Sequence, residues 1–145
     1  MEDVRLEKFK PVEAEKMLRI EIIGPPVPWA AAVVLKKGLT YSPKARQKAL
    51  TKLEIKRQYF EAPSKGSICL EMYFFMPIPK STPEKKIDSL LQGYHSKKPD
   101  TTNLQKFAED CLSGIVFIDD SQVFQTFSKK IYSENPKTVI YIYQL

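Results

Sequence analysis

The segment that decides the fold is HSKKPDTTNLQKFAEDCLSGIVFIDDSQ, residues 95–122. Its proline-acid pair places Asp100 where a helix N-cap is expected, and a helix is predicted over about 101–113, ending at a glycine. The short apolar run 115–118 is predicted as a strand that Asp119-Asp120 breaks. If that strand packs beside the helix start, carboxylates from both ends of the segment meet.

Working outward, the chain alternates predicted strands and helices. Strands are predicted at 18–24, 67–76, 123–132 and 138–144, and further helices at 44–59 and 81–93. We expect the last two strands to form a hairpin-like ending around 134–136. This mixture predicts one α+β domain over residues 18–145, with helices packed against a small mixed β-sheet. Residues 1–17 are predicted to be a leader, loosely ordered or a short helix.

The predicted helix at 44–59 has a clear start signal. Ser42 suits the N-cap and Pro43 the first helical position. Its apolar positions approximate a helical stripe that we expect to face the core, formed by Ala45, Ala49, Leu50, Leu53, Tyr59 and Phe60. The lysines and arginines then fall mainly on the other sides.

Positive charge is concentrated in one part of the chain. The formal net charge is +6, and residues 36–58 hold eight lysines and arginines against one glutamate, a net of +7. Such a stretch attracts polyanions, although a solvated helix face explains it equally well. The candidate DNA-binding residues are Lys36, Lys37, Lys44, Arg46, Lys48, Lys97 and Lys98.

Several classes of site are absent from the sequence. His95 is the only histidine, which excludes a paired-histidine zinc site, and there is no glycine-rich phosphate loop or nucleophile elbow. Cys69 and Cys111 lie in apolar contexts and are predicted to be reduced core residues. With no signal peptide and no apolar run long enough to cross a bilayer, we expect a cytoplasmic protein.

Acidic side chains are the candidates for chemistry. Asp100, Asp119 and Asp120 offer the oxygen ligands that Mg²⁺ prefers, and Glu109 and Asp110 are less obvious alternatives. Lys106 would lie two turns into the helix, within reach of a phosphate at its N-terminus, where anions are favoured. Each residue also has a plainer explanation, because aspartates suit caps and turns and a helix lysine usually faces solvent.

At this point the residues resemble a known family. Residues 95–106 resemble the H-x-K-x-P-D-x-D-N-x-x-K core of the RusA resolvases, and residues 111–122 resemble the L-x-G-apolar-D-D-x-Q segment that follows it. The segments 24–28, 41–44 and 75–80 agree with the family in the same order. The resemblance covers roughly residues 18–145.

The resemblance implies a homodimer that resolves four-way (Holliday) DNA junctions in recombination and repair, using acidic residues, a divalent metal and a lysine. Carried onto this chain, Asp100 and Asp120 would be catalytic metal ligands, with Asp119 as a further ligand or support. Lys106 would neutralise the reacting phosphate. Asn103, Thr102 and His95 would be supporting residues, and the expected cofactor is Mg²⁺, with Mn²⁺ also able to serve.

Thr102 departs from the family pattern. It replaces the second aspartate of P-D-x-D-N, so one negative charge is lost and a neutral hydroxyl remains. The alanines at 30–32 also stand where relatives often carry basic residues. Two alternatives to a nuclease therefore stay open: a weakened protein that binds branched DNA, and a basic scaffold whose acids are only caps and turns. A bacterial or prophage origin is expected by analogy.

Overall fold

The computed structural model describes residues 13–145, so the first twelve residues of the predicted leader lie outside the described residues. In chain order the elements are β1 (Lys16–Ile23), β2 (Val33–Val34), β3 (Thr40–Tyr41), α1 (Ala45–Gln58), β4 (Ile68–Pro77), α2 (Glu84–Leu91), α3 (Thr101–Leu112), β5 (Val123–Ser133) and β6 (Lys137–Gln144). The first strand thus begins two residues earlier than predicted. The α+β domain with a small mixed sheet is confirmed.

Strand order in the main sheet is β1-β6-β4-β5, with β4 parallel to β5 and antiparallel to β6. The predicted hairpin of the last two strands is therefore wrong, because β4 lies between them. The connection 134–136 crosses the end of β4, where Ser133 is opposite Pro77 and Lys137 is opposite Phe75. Nearly all of β4 is buried, and such a strand takes a central position with partners on both sides.

The core lies between the sheet and helices α1 and α3. Alternate residues of the central strands enter it, among them Leu70, Met72 and Phe74 of β4. The helices contribute the buried residues Ile55, Leu104, Phe107, Ala108, Cys111 and Leu112. Burying one large apolar side chain contributes about 1.5–3 kcal/mol, so this layer fixes α3 firmly on the sheet.

Most of the apolar stripe predicted for α1 faces solvent, and of its members Tyr59, just after the helix, is buried in the core. The helix begins at Ala45 rather than at Ser42-Pro43, and its N-cap residue makes no side-chain cap hydrogen bond. Leu50 and Leu53 are 54% and 58% exposed, while Ile55 is fully buried. The helix has one fully buried residue, and the side chain of Lys48 lies half-buried on the α3 side. The long aliphatic part of a lysine side chain can cover apolar surface in this way. The positions of the apolar residues along the helix do not reveal this contribution.

The predicted strand at 115–118 is a turn. Gly114 has a φ of 85°, and the amides of Ile115 and Val116 bond back to the carbonyl of Leu112, at 3.1 and 2.9 Å. Val116 and Phe117 are fully buried. The run is therefore apolar because its side chains fill part of the core, and not because it forms a strand of the sheet.

Both cysteines are free thiols in the core, as predicted. Burial raises the pKa of the Cys111 thiol to about 12. Within residues 13–145, no helix has the length and apolar character needed to cross a membrane.

Candidate active site

Asp100 is the N-cap residue of α3, but its carboxylate does not cap the helix. Its backbone carbonyl accepts from the amides of Asn103 and Leu104, both at 3.1 Å. The carboxylate instead accepts a hydrogen bond from Lys98 Nζ at 2.8 Å and stays half-exposed. This ammonium group holds the pKa of Asp100 below its ordinary value. The plain explanation of Asp100 as a side-chain cap therefore fails.

Lys130 of β5 fastens the loop that carries Lys98 and Asp100. Its Nζ donates to the carbonyls of Lys97 and Pro99, at 2.6 and 2.8 Å. Burial lowers the pKa of Lys130. The loop also contains a cis peptide bond between Lys98 and Pro99. The position of Asp100 is thus set from the neighbouring strand as well as from its own helix.

His95 lies at the base of the same loop. Its amide donates to the carbonyl of Lys130 at 3.1 Å, and its ring lies 4.7 Å from that of Tyr132. Burial, then the nearby charge of Lys130, lowers the pKa of His95, which favours the neutral ring. The geometry suits a supporting residue that packs the loop against β5.

Two grooves meet at Asp100. The first, here the basic groove, is lined by His95, Ser96, Lys97, Lys98, Asp100, Thr101, Thr102 and Lys130. The second, here the apolar groove, is lined by Pro25, Pro26, Pro28, Trp29, Met76, Pro77, Lys98, Pro99, Asp100 and Asn103. Lys98 and Asp100 line both grooves, so the ion pair forms the ridge between them.

Trp29 joins the proline-rich segment to α3. Its amide donates to the carbonyl of Asn103 at 2.9 Å. The Nζ atom of Lys106 lies 3.6 Å from the centroid of the indole ring, a close cation–π contact. Lys106 is exposed on α3, about 9 Å along the helix from Asp100. Sequence reasoning missed Trp29, although it is the only tryptophan and follows the proline-rich segment.

Asp119 and Asp120 sit in a short 3₁₀ turn at 120–122. The Asp119 carboxylate accepts from the amide of Ser121 at 3.0 Å, which lowers the pKa of Asp119. Gln122 closes the capping box by accepting from the amides of Asp119 and Ile118, at 2.9 and 2.8 Å. Asp119 therefore stabilises the turn, and both aspartates are exposed to solvent.

Asp120 lies close enough to Glu109 for its charge to act on that carboxyl group. Burial raises the pKa of Glu109, and the charge of Asp120 contributes to the rise. Glu109 is about 13 Å along the helix from Asp100. Within residues 13–145, no three histidine, cysteine or acidic side chains form a group that could hold a metal ion. The structure thus does not bring Asp100, Asp119 and Asp120 together as a preformed triad.

The other predicted DNA-binding residues line neither of the two grooves. Lys36 and Lys37 are exposed in the turn between β2 and β3, where Lys37 has a φ of 70°. Lys44 and Arg46 lie at the start of α1. Lys48 is half-buried toward α3, close enough for its charge to act on Cys111. Lys97 and Lys98 alone of the predicted set line the basic groove.

Comparisons with known proteins identify the family of this chain. The family profile of endodeoxyribonuclease RusA matches residues 24–143, from the proline-rich segment to β6. The uncharacterized protein YqaN of Bacillus subtilis (strain 168) is 32% identical over 81 residues, which are 53% of this chain. The chain spans 57% of that relative's length. Because the family match covers most of the chain and both grooves, the chain belongs to the RusA endodeoxyribonuclease family.

Proposed function

We propose that the chain is a structure-specific endonuclease that resolves four-way (Holliday) junctions by hydrolysing phosphodiester bonds during DNA recombination and repair. The observation that carries the proposal is the position of Asp100. Its carboxylate lies on the ridge between a groove rich in lysine and hydroxyl groups and a groove of apolar and aromatic side chains. A DNA strand presents phosphates and bases side by side, which suits such a ridge.

The basic groove supplies what a phosphate requires. Lys97 and Lys98 are exposed and can replace counterions on the DNA backbone, which makes binding favourable and salt-sensitive. The groove also meets the first turn of α3 at Thr101 and Thr102, and a helix N-terminus favours anions. A phosphate in this groove would lie beside the Asp100 carboxylate.

Divalent metal dependence, with Mg²⁺ as the expected ion and Mn²⁺ as a substitute, is part of the proposal. Mg²⁺ at phosphate-processing sites is commonly held by one or two carboxylates together with substrate oxygens. Asp100 fits that arrangement, because it borders the phosphate-binding surface, whereas the described residues do not form an all-protein cage. A bound ion would activate the attacking water and stabilise the departing oxygen.

The side chains of this chain would then supply the other groups that hydrolysis needs. Asp100 stays ionised well below neutral pH because Lys98 donates to it, so it can accept a hydrogen bond from water or bind an ion. Lys106, held against Trp29, would offset the charge that grows on the phosphate. Asp120 would be a further candidate metal ligand, and it lies beside Glu109 near the far end of α3.

A second candidate function is binding of branched DNA without efficient cleavage. Two observations favour it: Thr102 offers only a hydroxyl beside Asp100, and Lys98 already neutralises the Asp100 carboxylate. This candidate predicts salt-sensitive junction binding that persists in EDTA with little cutting.

We further propose that the chain acts as a homodimer. It would work in the cytoplasm of a bacterium, encoded by the bacterium or by a prophage. A four-way junction needs two paired cuts, and a two-fold dimer presents two sites. The exposed leucines Leu50 and Leu53 of α1 form an apolar surface that a second copy would cover. Replacing both with lysine should shift the mass measured by analytical ultracentrifugation toward that of a monomer.

The test of the proposed function is cleavage of a labelled four-way junction with Mg²⁺ or Mn²⁺. We expect paired nicks from the native chain and none from Asp100→Asn, with junction binding retained. Asp88→Asn, an exposed acid on α2, is the matched control and should cut normally. Absence of cutting by the native chain at every metal concentration would overturn the nuclease, and binding retained in EDTA would then establish the second candidate.

A further inference from the structure

The apolar groove opens directly beside Asp100, and the hydrolysis proposed above does not say which group it holds. Its walls come from three separated parts of the chain: the proline-rich segment before β2, the end of β4 and the start of α3. Six of its ten lining residues are proline or tryptophan, namely Pro25, Pro26, Pro28, Trp29, Pro77 and Pro99. Such rigid, flat side chains leave little conformational entropy to lose when a planar ligand binds.

We propose that the apolar groove is a nucleobase subsite, which takes one unstacked base next to the phosphate held in the basic groove. This inference rests on the proposed function, because it requires that DNA reach the Asp100 ridge. It adds a ligand group, the base, and it gives Trp29, which already holds Lys106, a direct contact with DNA.

The composition of the groove matches a base better than a phosphate or an aliphatic chain. Trp29 offers a π-face for stacking, which every base can use. Asn103, Lys98 and Asp100 add polar groups at one side, where the hydrogen-bonding edge of a base would lie. A groove with flat apolar walls and a polar margin therefore has the two features by which proteins hold an extruded base.

Trp29 is fixed in a way that suits stacking. The bond from its amide to the Asn103 carbonyl, at 2.9 Å, ties the residue to α3. Lys106 lies over the indole ring but does not line the apolar groove. The indole is partly buried against the core, so a ligand would meet only the part of the ring that lines the groove.

The subsite explains why a branch point would be preferred. A base inside a duplex must be unpaired and unstacked before it can enter the groove, at a cost of a few kcal/mol, and this cost is smallest where pairing is already interrupted. Regular duplex would reach the basic groove but not the apolar one. Preference for branched or single-stranded DNA would then come from the Trp29 side of the ridge.

The experiment uses Trp29 as its own reporter, since it is the only tryptophan. The full chain in EDTA is titrated with a short oligothymidine and with an abasic deoxyribose-phosphate oligomer of equal length, and indole emission is recorded. Anisotropy of a labelled four-way junction is measured in parallel. We expect the oligothymidine to quench emission and the abasic oligomer to bind without quenching. In Trp29→Ala, oligothymidine affinity should fall about 5- to 100-fold, with a much smaller loss of abasic affinity that reflects the lost contact with Lys106.

Trp29→Phe should restore most of the affinity, and Phe60→Ala is the control, because this exposed aromatic lines neither groove. If both oligomers bind and neither quenches, or both quench alike, the subsite is overturned while DNA binding stands. If the junction anisotropy does not change and no oligomer binds, both the subsite and the proposed function fail.

Discussion

Lys106 Nζ lies 3.6 Å from the centroid of the Trp29 ring, so the lysine expected to face the phosphate is held by an aromatic ring. A cation over an indole is stabilised by the ring quadrupole while it keeps its full charge. The contact also spans two distant parts of the chain, because Trp29 precedes β2 and Lys106 belongs to α3. The orientation of the lysine therefore depends on the proline-rich segment.

Lys106→Gln should lower junction cleavage by about 100- to 1000-fold, the usual effect of removing one group that stabilises transition-state charge. In the absence of DNA it should also shift Trp29 emission, because the ammonium leaves the indole. Lys106→Arg should preserve the emission, since a guanidinium also stacks on aromatic rings. Lys56→Gln, exposed on α1, is the control. Unchanged cleavage and emission in Lys106→Gln would contradict both the contact and the role.

Lys98→Met should let the pKa of Asp100 rise toward its ordinary value, because the hydrogen bond that depresses it is lost. The pair exists above the ordinary carboxyl pKa and breaks as pH falls through the depressed value, so the variant should differ most in the acid range. The carboxyl carbon shift of Asp100, followed by NMR against pH, measures this change.

The same variant should need less Mg²⁺ for half-maximal cleavage, since the ammonium no longer competes with the ion for Asp100. Lys97→Met removes an equal charge from the basic groove without touching Asp100 and provides the comparison. A rise in the Mg²⁺ requirement of Lys98→Met, relative to Lys97→Met, would show that Lys98 assists metal binding instead.

Lys130→Ala should loosen the loop that carries Asp100, because two carbonyls lose their charged donor. Each lost hydrogen bond to a charged group costs about 1.5–3 kcal/mol, and part of this should appear as a lower free energy of unfolding. Hydrogen exchange in residues 96–100 should accelerate. Lys129→Ala, the adjacent residue, should leave that exchange unchanged, because Lys129 contacts the rings of Tyr94 and Phe127. Equal effects of the two variants would argue against the anchor.

Gln122→Ala should destabilise the fold by about 2–4 kcal/mol, because one side chain makes four hydrogen bonds to backbone groups. Its amide nitrogen donates to the carbonyls of Ser64 and Gly66, at 2.8 Å each, and its oxygen accepts from Ile118 and Asp119. Urea unfolding measures the loss, and Gln125→Ala, exposed on β5, should change stability little. A loss no larger than that of Gln125→Ala would contradict this role.

Local signals in the sequence predicted much of the site. The start of α3 at Thr101, the position of Asp100 before it and the turn at Asp119-Asp120 each depend on neighbours within a few residues. The order of the strands did not follow in the same way, because β4 enters between β5 and β6 through pairings between residues that lie 55 to 76 positions apart. The turn residues at 134–136 indicate that one strand follows another, but they do not show that β4 lies between the two.

The roles of Lys130 and Trp29 could not be predicted for the same reason. Lys130 is one of two adjacent lysines on β5, and only the tertiary structure shows which of them reaches the carbonyls of Lys97 and Pro99. The position of Asp120 could not be predicted either, because the turn after α3 brings it close enough to Glu109 for its charge to raise the pKa of Glu109. The spacing of the residues along the sequence does not show in which direction the chain turns after α3.

Thr102→Asp should raise metal-dependent junction cleavage by at least about tenfold, because it adds a second carboxylate to the basic groove one helical position beyond Thr101. An acid in the first turn of a helix is also favoured by the macrodipole, by about 0.3–1 kcal/mol, so the variant should fold at least as stably as the native chain. Cleavage rates at several Mg²⁺ concentrations and a thermal melt test the two expectations.

Thr102→Asn is the matched control, since it adds a polar group of similar size without charge and should leave cleavage unchanged. Should Thr102→Asp cut no faster than Thr102→Asn while Asp100→Asn abolishes cutting, threonine is a sufficient residue at this position and the weakened-enzyme candidate fails. Should Thr102→Asp cut a junction that the native chain only binds, the loss of that carboxylate is what separates binding from cleavage in this chain.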